Sequence, residues 1–157
     1  MTIAEWCILG AVLLYLGAIA AAKALGHREF DNAAPRDPAF YEHAVRKRAL
    51  GAHINGIETF PFFAVAVLLA EMRMAHQDWT DALSVGFLAA RILFVLAYVM
   101  DKATARTMLW NAGFAFNLGI FFLAGFGTQG ALIATIAGLT WALALWPLLT
   151  LLQPRSS

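Results

Sequence analysis

The sequence predicts an all-α integral membrane protein, a bundle of four membrane-spanning helices followed by a fifth, C-terminal one. Three observations predict it. Of 157 residues, 61% are hydrophobic and only 13% are charged, whereas a soluble domain has about a quarter of its residues charged. The mean hydropathy is +0.69. Apolar runs long enough to cross a bilayer, about 20 residues each, recur five times between short polar segments.

The first span is Ile3 to Leu25. It reads as a span and not as a cleaved signal, because it lacks a basic start and its apolar run is long. The loop "GHREFDNAAPRDPAFYEHAVRKR" follows, too charged for hydrocarbon and punctuated by turn formers. The second span runs from about Lys47 to Met72 and the third from about Asp81 to Met100, joined by the polar turn "RMAHQDWTD". The fourth runs from about Thr104 to Phe126. A Gly-rich break, "GFGTQG", separates it from a fifth run, Ala131 to Leu152, and the polar tail "QPRSS". The organisation is thus a four-helix membrane domain, residues 1–126, and an added C-terminal helix with a short tail, residues 127–157.

Loop charge predicts orientation. One side holds Lys23, Arg28, Arg36, Arg46, Lys47, Arg48, Lys102, Arg106 and Arg155; the other holds only Arg73. Cytoplasmic loops carry the excess of Lys and Arg, so five spans put the N-terminus outside and the C-terminus in the cytoplasm. The alternative is a last segment lying along the membrane.

Several function classes are excluded by composition. A net charge of +1 gives no field for nucleic acid. A single cysteine, Cys7, builds neither a disulfide framework nor a zinc cluster. No phosphate loop, Ser-His-Asp set or metal-ligand spacing appears. A haem between two helices needs a second buried histidine beside His53, and His27, His43 and His76 fall in loops or at helix ends.

Polar residues inside the apolar spans carry what remains. Glu58 lies 11 residues beyond Lys47 and Arg91 lies 11 before Lys102, about 16 Å along a helix in each case. Their equal depth predicts a Glu58–Arg91 pair, direct or through one water, since a lone charge in hydrocarbon is expensive. Such a pair either sets helix register or serves a ligand. Helical spacing puts Arg48, Gly51, Asn55, Glu58 and Phe62 on one stripe, Arg91, Val95, Tyr98 and Lys102 on a second, and Arg106, Trp110, Gly113 and Asn117 on a third. All three gain polarity toward the basic end. Together they predict a wedge suited to an anionic head and an apolar tail; the alternative is that these groups only snorkel or pair between helices.

The stretch "RALGAHINGIETFPFF" resembles the second-helix motif of the MAPEG family, the membrane-associated proteins in eicosanoid and glutathione metabolism. The matching positions are Arg48, Ala52, Asn55, Glu58 and Pro61, with the spacing Asn-x-x-Glu-x-x-Pro intact. Arg91 and Tyr98 stand at the Arg-to-Tyr spacing of the prostaglandin E synthase branch. Arg106-Thr107 resembles the Arg-Ser near the start of the family's fourth helix, and "DNAAPR" looks like bacterial members. The resemblance implies a homotrimer of four-helix subunits in the bacterial plasma membrane. It implies glutathione bound between subunits near the cytoplasmic interface, and a lipophilic substrate arriving from the bilayer.

Carried over, Arg48, Asn55, Glu58 and Tyr98 bind the tripeptide, and Arg106 is the catalytic cation beside its thiol. Glutathione's carboxylates suit arginines, its ammonium suits Glu58, and a nearby cation raises its thiolate fraction. The alternative for Arg106 is an anchor to lipid phosphate. Small residues on the second helix, Gly51, Ala52 and Gly56, add a physical reason for trimer contacts there. The chain departs from the animal enzymes at Gly51 and from the prostaglandin synthase at Ile54, where those proteins carry arginines, and at Trp110, where they carry a hydroxyl. The resulting expectation is a glutathione-dependent transferase or peroxidase. The alternative is a non-enzymatic lipid-binding or accessory membrane subunit that keeps the fold without glutathione chemistry. The fifth helix either covers the lipid-facing side of the site or docks a membrane-protein partner.

Overall fold

The computed structural model describes residues 1–145 and 147–148. Every regular element among them is helical: α1 (Ile3–Leu25), a 3-10 turn (Pro38–Tyr41), α2 (Ala44–Met72), α3 (Gln77–Val99), α4 (Ala103–Thr140) and a closing π-helical turn (Trp141–Leu145). Four helices are long and apolar enough to cross a membrane, the last running from Ala103 to Ala144. The protein is therefore an integral membrane protein.

Each helix begins or ends for a local reason. Thr2 and Glu5 form a reciprocal capping box at the start of α1, satisfying two otherwise orphaned amides. Buried Ala4, Cys7, Ala11, Tyr15, Ala18 and Ala22 make the α1 stripe, mostly small residues that let α2 approach closely. The α2–α3 and α3–α4 turns are so short that one non-glycine residue in each, Met74 (φ 51) and Asp101 (φ 60), adopts the left-handed region. Pro61 lies inside α2 and removes one helical N–H, which loosens the backbone one turn beyond Asn55.

Polar clasps close the bundle at both ends. At one end Thr2 Oγ1 donates to Glu71 (2.9 Å), Gln77 donates to Glu71 and Asp81, and Asp81 accepts from the Ala4 amide (2.8 Å). The start of α1 is thereby tied to the α2–α3 turn. At the basic end Arg48 Nε donates to the Val99 carbonyl (3.0 Å), and its guanidinium meets Asp101 at 3.4 Å. Arg48 thus caps α3 and pins the α3–α4 turn to α2. Arg46, one of the residues counted on the basic side, is buried, paired with Glu29 at 2.7 Å and stacked on the Phe40 ring, and it anchors the long first loop to α2.

The fifth apolar run is expected to begin a separate helix at Ala131. Within α4 the structure holds two helical arms joined at Gly127, where φ is 71° and ψ is −167°, so the second arm starts at residue 128, a little before the expected point. The chain reverses there. Gly119 faces Thr135, and Gly138 sits so close to Ala115 that a methyl group would lie 2.5 Å from its Cβ. Ala112 and Ala142 share one apolar cluster with Ala90. Partners count upward on one arm and downward on the other, so the arms run antiparallel; a straight helix would hold Ala115 and Gly138 roughly 35 Å apart. The expected tail, including Leu152 and Arg155, lies outside the described residues.

Small residues on α2 also find a different use. Gly56 lies under the Tyr15 ring of α1, Gly51 lies under the Tyr98 hydroxyl of α3, and Ala52 is fully buried. Two of the three residues expected to bring subunits together, Gly51 and Gly56, bring helices of one protomer together.

Candidate functional site

Where α2, α3 and α4 meet near the basic end, Asn55, Phe94, Tyr98, Arg106, Thr107 and Trp110 line a cleft of about 300 Å³. That is the lower end of the range for small-molecule sites. Its residues follow from local structure. Tyr98 stands in the last turn of α3 and Arg106 in the first turn of α4, so the three-residue turn pinned by Arg48 sets them face to face. The Arg106 guanidinium lies 4.5 Å from the centre of the Tyr98 ring, a cation–π contact that orients it. Asn55 enters from α2. Its Oδ1 accepts from Arg91 Nη2 at 2.8 Å, which leaves its amide N–H groups available as donors. Among the described residues no carboxylate lines the cleft, and Arg106 is the charged side chain in its wall.

The expected Glu58–Arg91 pair is absent. Glu58 is exposed and lines a larger groove, about 1010 Å³, between α1, the first loop and α2. Arg91 points inward: it is 1% exposed, bonds Asn55, and lies over the Phe94 ring at 4.2 Å. The reason is angular. Equal depth brings two side chains together only if both face the same neighbour. Asn55 and Glu58, three residues apart, point about 60° apart around α2, and α3 lies on the Asn55 side.

Of the five residues assigned to the site from sequence, Asn55, Tyr98 and Arg106 therefore share one cleft within one protomer. Arg48 sits one step behind it, holding the turn that sets Tyr98 and Arg106. Glu58 lies on the flank, in the neighbouring groove. Trp110, four residues from Arg106 on the stripe read from sequence, lines the cleft with it. Sequence reasoning missed Phe94 and Thr107 as lining residues.

The profile of the MAPEG family, the membrane-associated eicosanoid and glutathione metabolism proteins, matches residues 3–126. The chain belongs to the MAPEG family. The match ends one residue before Gly127, where the chain reverses. Comparison with curated proteins and with solved structures returned no match.

Membership makes one departure informative. Animal MAPEG enzymes carry an arginine where this chain has Gly51. A methyl group at Gly51 would already lie 2.6 Å from the Tyr98 hydroxyl. Tyr98 occupies the space that a side chain there would need. Gly51→Arg should consequently drive Tyr98 out of the cleft and break its contact with Arg106. Tyrosine fluorescence and near-ultraviolet dichroism check this, since the Tyr98 environment should change while helix content stays the same.

Proposed function

We propose that this MAPEG protein is a glutathione-dependent transferase or peroxidase acting on a lipophilic electrophile. The observation that carries the reading is the Arg106 guanidinium, held over Tyr98 in a carboxylate-free cleft that Asn55 also lines. The donor set fits the tripeptide: a guanidinium, a phenol and a carboxamide suit carboxylate and thiolate, and Glu58 on the flank suits an ammonium group. Glutathione would supply the thiol nucleophile, so a protein cysteine is not required, and Cys7 is buried in α1 far along the chain from these residues.

The chain's own residues then divide the work. Arg106 stabilises negative charge at sulfur as it develops, because a cation already fixed in direction by the Tyr98 ring needs no reorganisation when the charge forms. Tyr98 orients Arg106 through its ring and presents a hydroxyl to the same space. Arg91 is a positioning residue: by holding Asn55 Oδ1 it turns the Asn55 amide N–H groups outward to bind. Arg48 fixes the turn that keeps Tyr98 and Arg106 opposed. Trp110 and Phe94 give the cleft an apolar wall for a substrate arriving from lipid.

Titrating the purified protein with millimolar glutathione tests the proposal. Thiolate absorbance in the ultraviolet should rise above that of the free tripeptide at the same pH. Its absence would favour the accessory-subunit reading.

We further propose a homotrimer in the bacterial plasma membrane, with the cleft completed at the subunit boundary. The exposed face of α2, with Ile54, Ile57 and Glu58, supplies the contact surface, since the small residues are used within the protomer. The antiparallel arm after Gly127 supports a fifth crossing and a cytoplasmic C-terminus, as the charge asymmetry of the loops predicts. A reporter fused after Ser157 should be active inside the cell, and activity outside would refute this topology.

A further inference from the structure

Arg91 carries a charge that no other side chain in the bundle answers. A guanidinium stays ionised in proteins, so burial does not neutralise it as it would a lysine. Arg91 is the largest fully buried side chain among the described residues and sits midway along an apolar span. Buried charges in a membrane are paired or line a polar cavity. Arg91 takes part in none of the salt bridges among the described residues. Its contacts are neutral: Asn55 Oδ1 on Nη2, and the rings of Phe94 and Tyr15 at 4.2 Å and 5.6 Å. Its Nε–H has no acceptor. At 1% exposed, it offers no surface to a neighbouring subunit or to a lipid headgroup. Its counter-charge therefore belongs inside the protomer.

A cavity of about 80 Å³ adjoins Arg91. Asn117 lines it from α4; it is 3% exposed, and its Oδ1 is likewise without a partner. Two buried polar side chains, one on α3 and one on α4, are thus left unsatisfied beside one small space. Gly113, a turn before Asn117, leaves α4 without a side chain where the Arg91 stem passes; a methyl group there would lie 3.4 Å from Arg91 Cδ. Thr59, also in the wall, offers no competing donor, since its hydroxyl is turned back onto the Asn55 and Gly56 carbonyls. The rest of the wall is aromatic, and among the described residues no carboxylate lines the cavity. Water alone would satisfy Nε–H and Oδ1 but leave the charge uncompensated, and an uncompensated buried charge is the costly part.

We propose that this cavity holds a halide ion, chloride or bromide, as the counter-charge of Arg91. The ion accepts from Arg91 Nε–H. One water donates a hydrogen to the ion and the other to Asn117 Oδ1, so both orphan groups are satisfied. A water takes about 30 Å³ and a chloride ion is of similar size, so the pair fits the space. The wall selects the ion. Few donors face the cavity, which suits a spherical monovalent anion. Sulfate or phosphate would leave oxygens unpaired against the rings of Phe87 and Trp110, and an unpaired buried acceptor is costly. Bromide sheds its water more easily than chloride, so it should bind at least as tightly. Because Arg91 also holds Asn55 Oδ1, the ion steadies Asn55 indirectly. The site itself stands whether or not the neighbouring cleft takes glutathione.

Two measurements on the full-length protein test this, both in a neutral detergent without glutathione. In the first, thermal unfolding is followed by helix dichroism in sodium chloride, bromide or gluconate at one ionic strength. The Tm should be higher in both halides than in gluconate. It should rise with the logarithm of halide concentration, by about 5 °C at a hundredfold excess over Kd. The difference between salts should vanish in Arg91→Met and shrink in Asn117→Leu, which keeps Arg91 and covers the case in which Arg91→Met fails to fold. Equal Tm in all three salts would overturn the proposal. So would an undiminished halide effect in either variant, by assigning it to the basic loops. In the second measurement, crystals grown in sodium bromide should show a bromine anomalous peak between Arg91 and Asn117. Peaks confined to surface lysines and arginines would mean an adventitious ion only, and would overturn the site.

Discussion

Replacing Arg106 with leucine should lower turnover by about 10²–10³, the loss seen when one preorganised donor to a developing anion is removed. Glutathione affinity should change far less. Among the described residues Arg106 is the only cation lining the cleft that holds Asn55 and Tyr98, and its contact with the Tyr98 ring fixes its direction. In the proposed reaction its effect would therefore be greatest where charge concentrates, at sulfur, and smaller where the tripeptide's other groups would bind. Arg106→Lys should rescue only in part, because an ammonium is a point charge that cannot fork onto two acceptors. The measurement is a split of kcat from KM with a lipophilic electrophile, alongside thiolate absorbance. Unchanged turnover in Arg106→Leu would mean that this residue only anchors the helix end to lipid phosphate.

The second large effect is expected at Gly127. Its backbone, φ 71° and ψ −167°, lies in a region that is essentially closed to residues with a side chain. Gly127→Ala should therefore destabilise the protein by about 1–3 kcal/mol, and Gly127→Val by more, although nothing lies near enough to clash with a methyl group there. The strain acts through the reversal. If the turn opens, Gly119 loses Thr135 and Ala115 loses Gly138, and the tight seam between the arms separates. Gly125 is the control: it too has open space around it and its backbone is helical, so Gly125→Ala should be neutral or slightly stabilising. Thermal unfolding in detergent compares the two. A Gly127→Ala protein that melts with Gly125→Ala would show that the reversal needs no glycine.

Much of the fold is legible in the sequence because membrane solvation leaves few choices. Without water in hydrocarbon, every backbone group must be satisfied within its own segment, so an apolar run becomes a helix whatever its neighbours do. The first span, Ile3–Leu25, is read to the residue; the second agrees at Met72 and starts three residues earlier than read, and the third starts four residues earlier and ends one earlier. The "GFGTQG" break marks the reversal, because glycine is the residue that tolerates it. The Asn-x-x-Glu-x-x-Pro motif identifies the family for the same kind of reason: polar groups are rare in a span, so their spacing is informative.

What the sequence by itself determined, then, is the helices, their order, the place where the chain turns back, and the list of polar residues available for chemistry. The tertiary structure decided which way those residues face. Depth along a span is a one-dimensional quantity, readable from residue counts, and it placed Glu58 and Arg91 at the same level. Pairing depends as well on rotation about each helix axis and on which neighbour packs there. Only the packed bundle, with Gly56 under Tyr15 and Gly51 under Tyr98, sets that rotation. It turned Arg91 toward Asn55, left Glu58 outside, and gave Arg48 to a helix end instead of to the cleft.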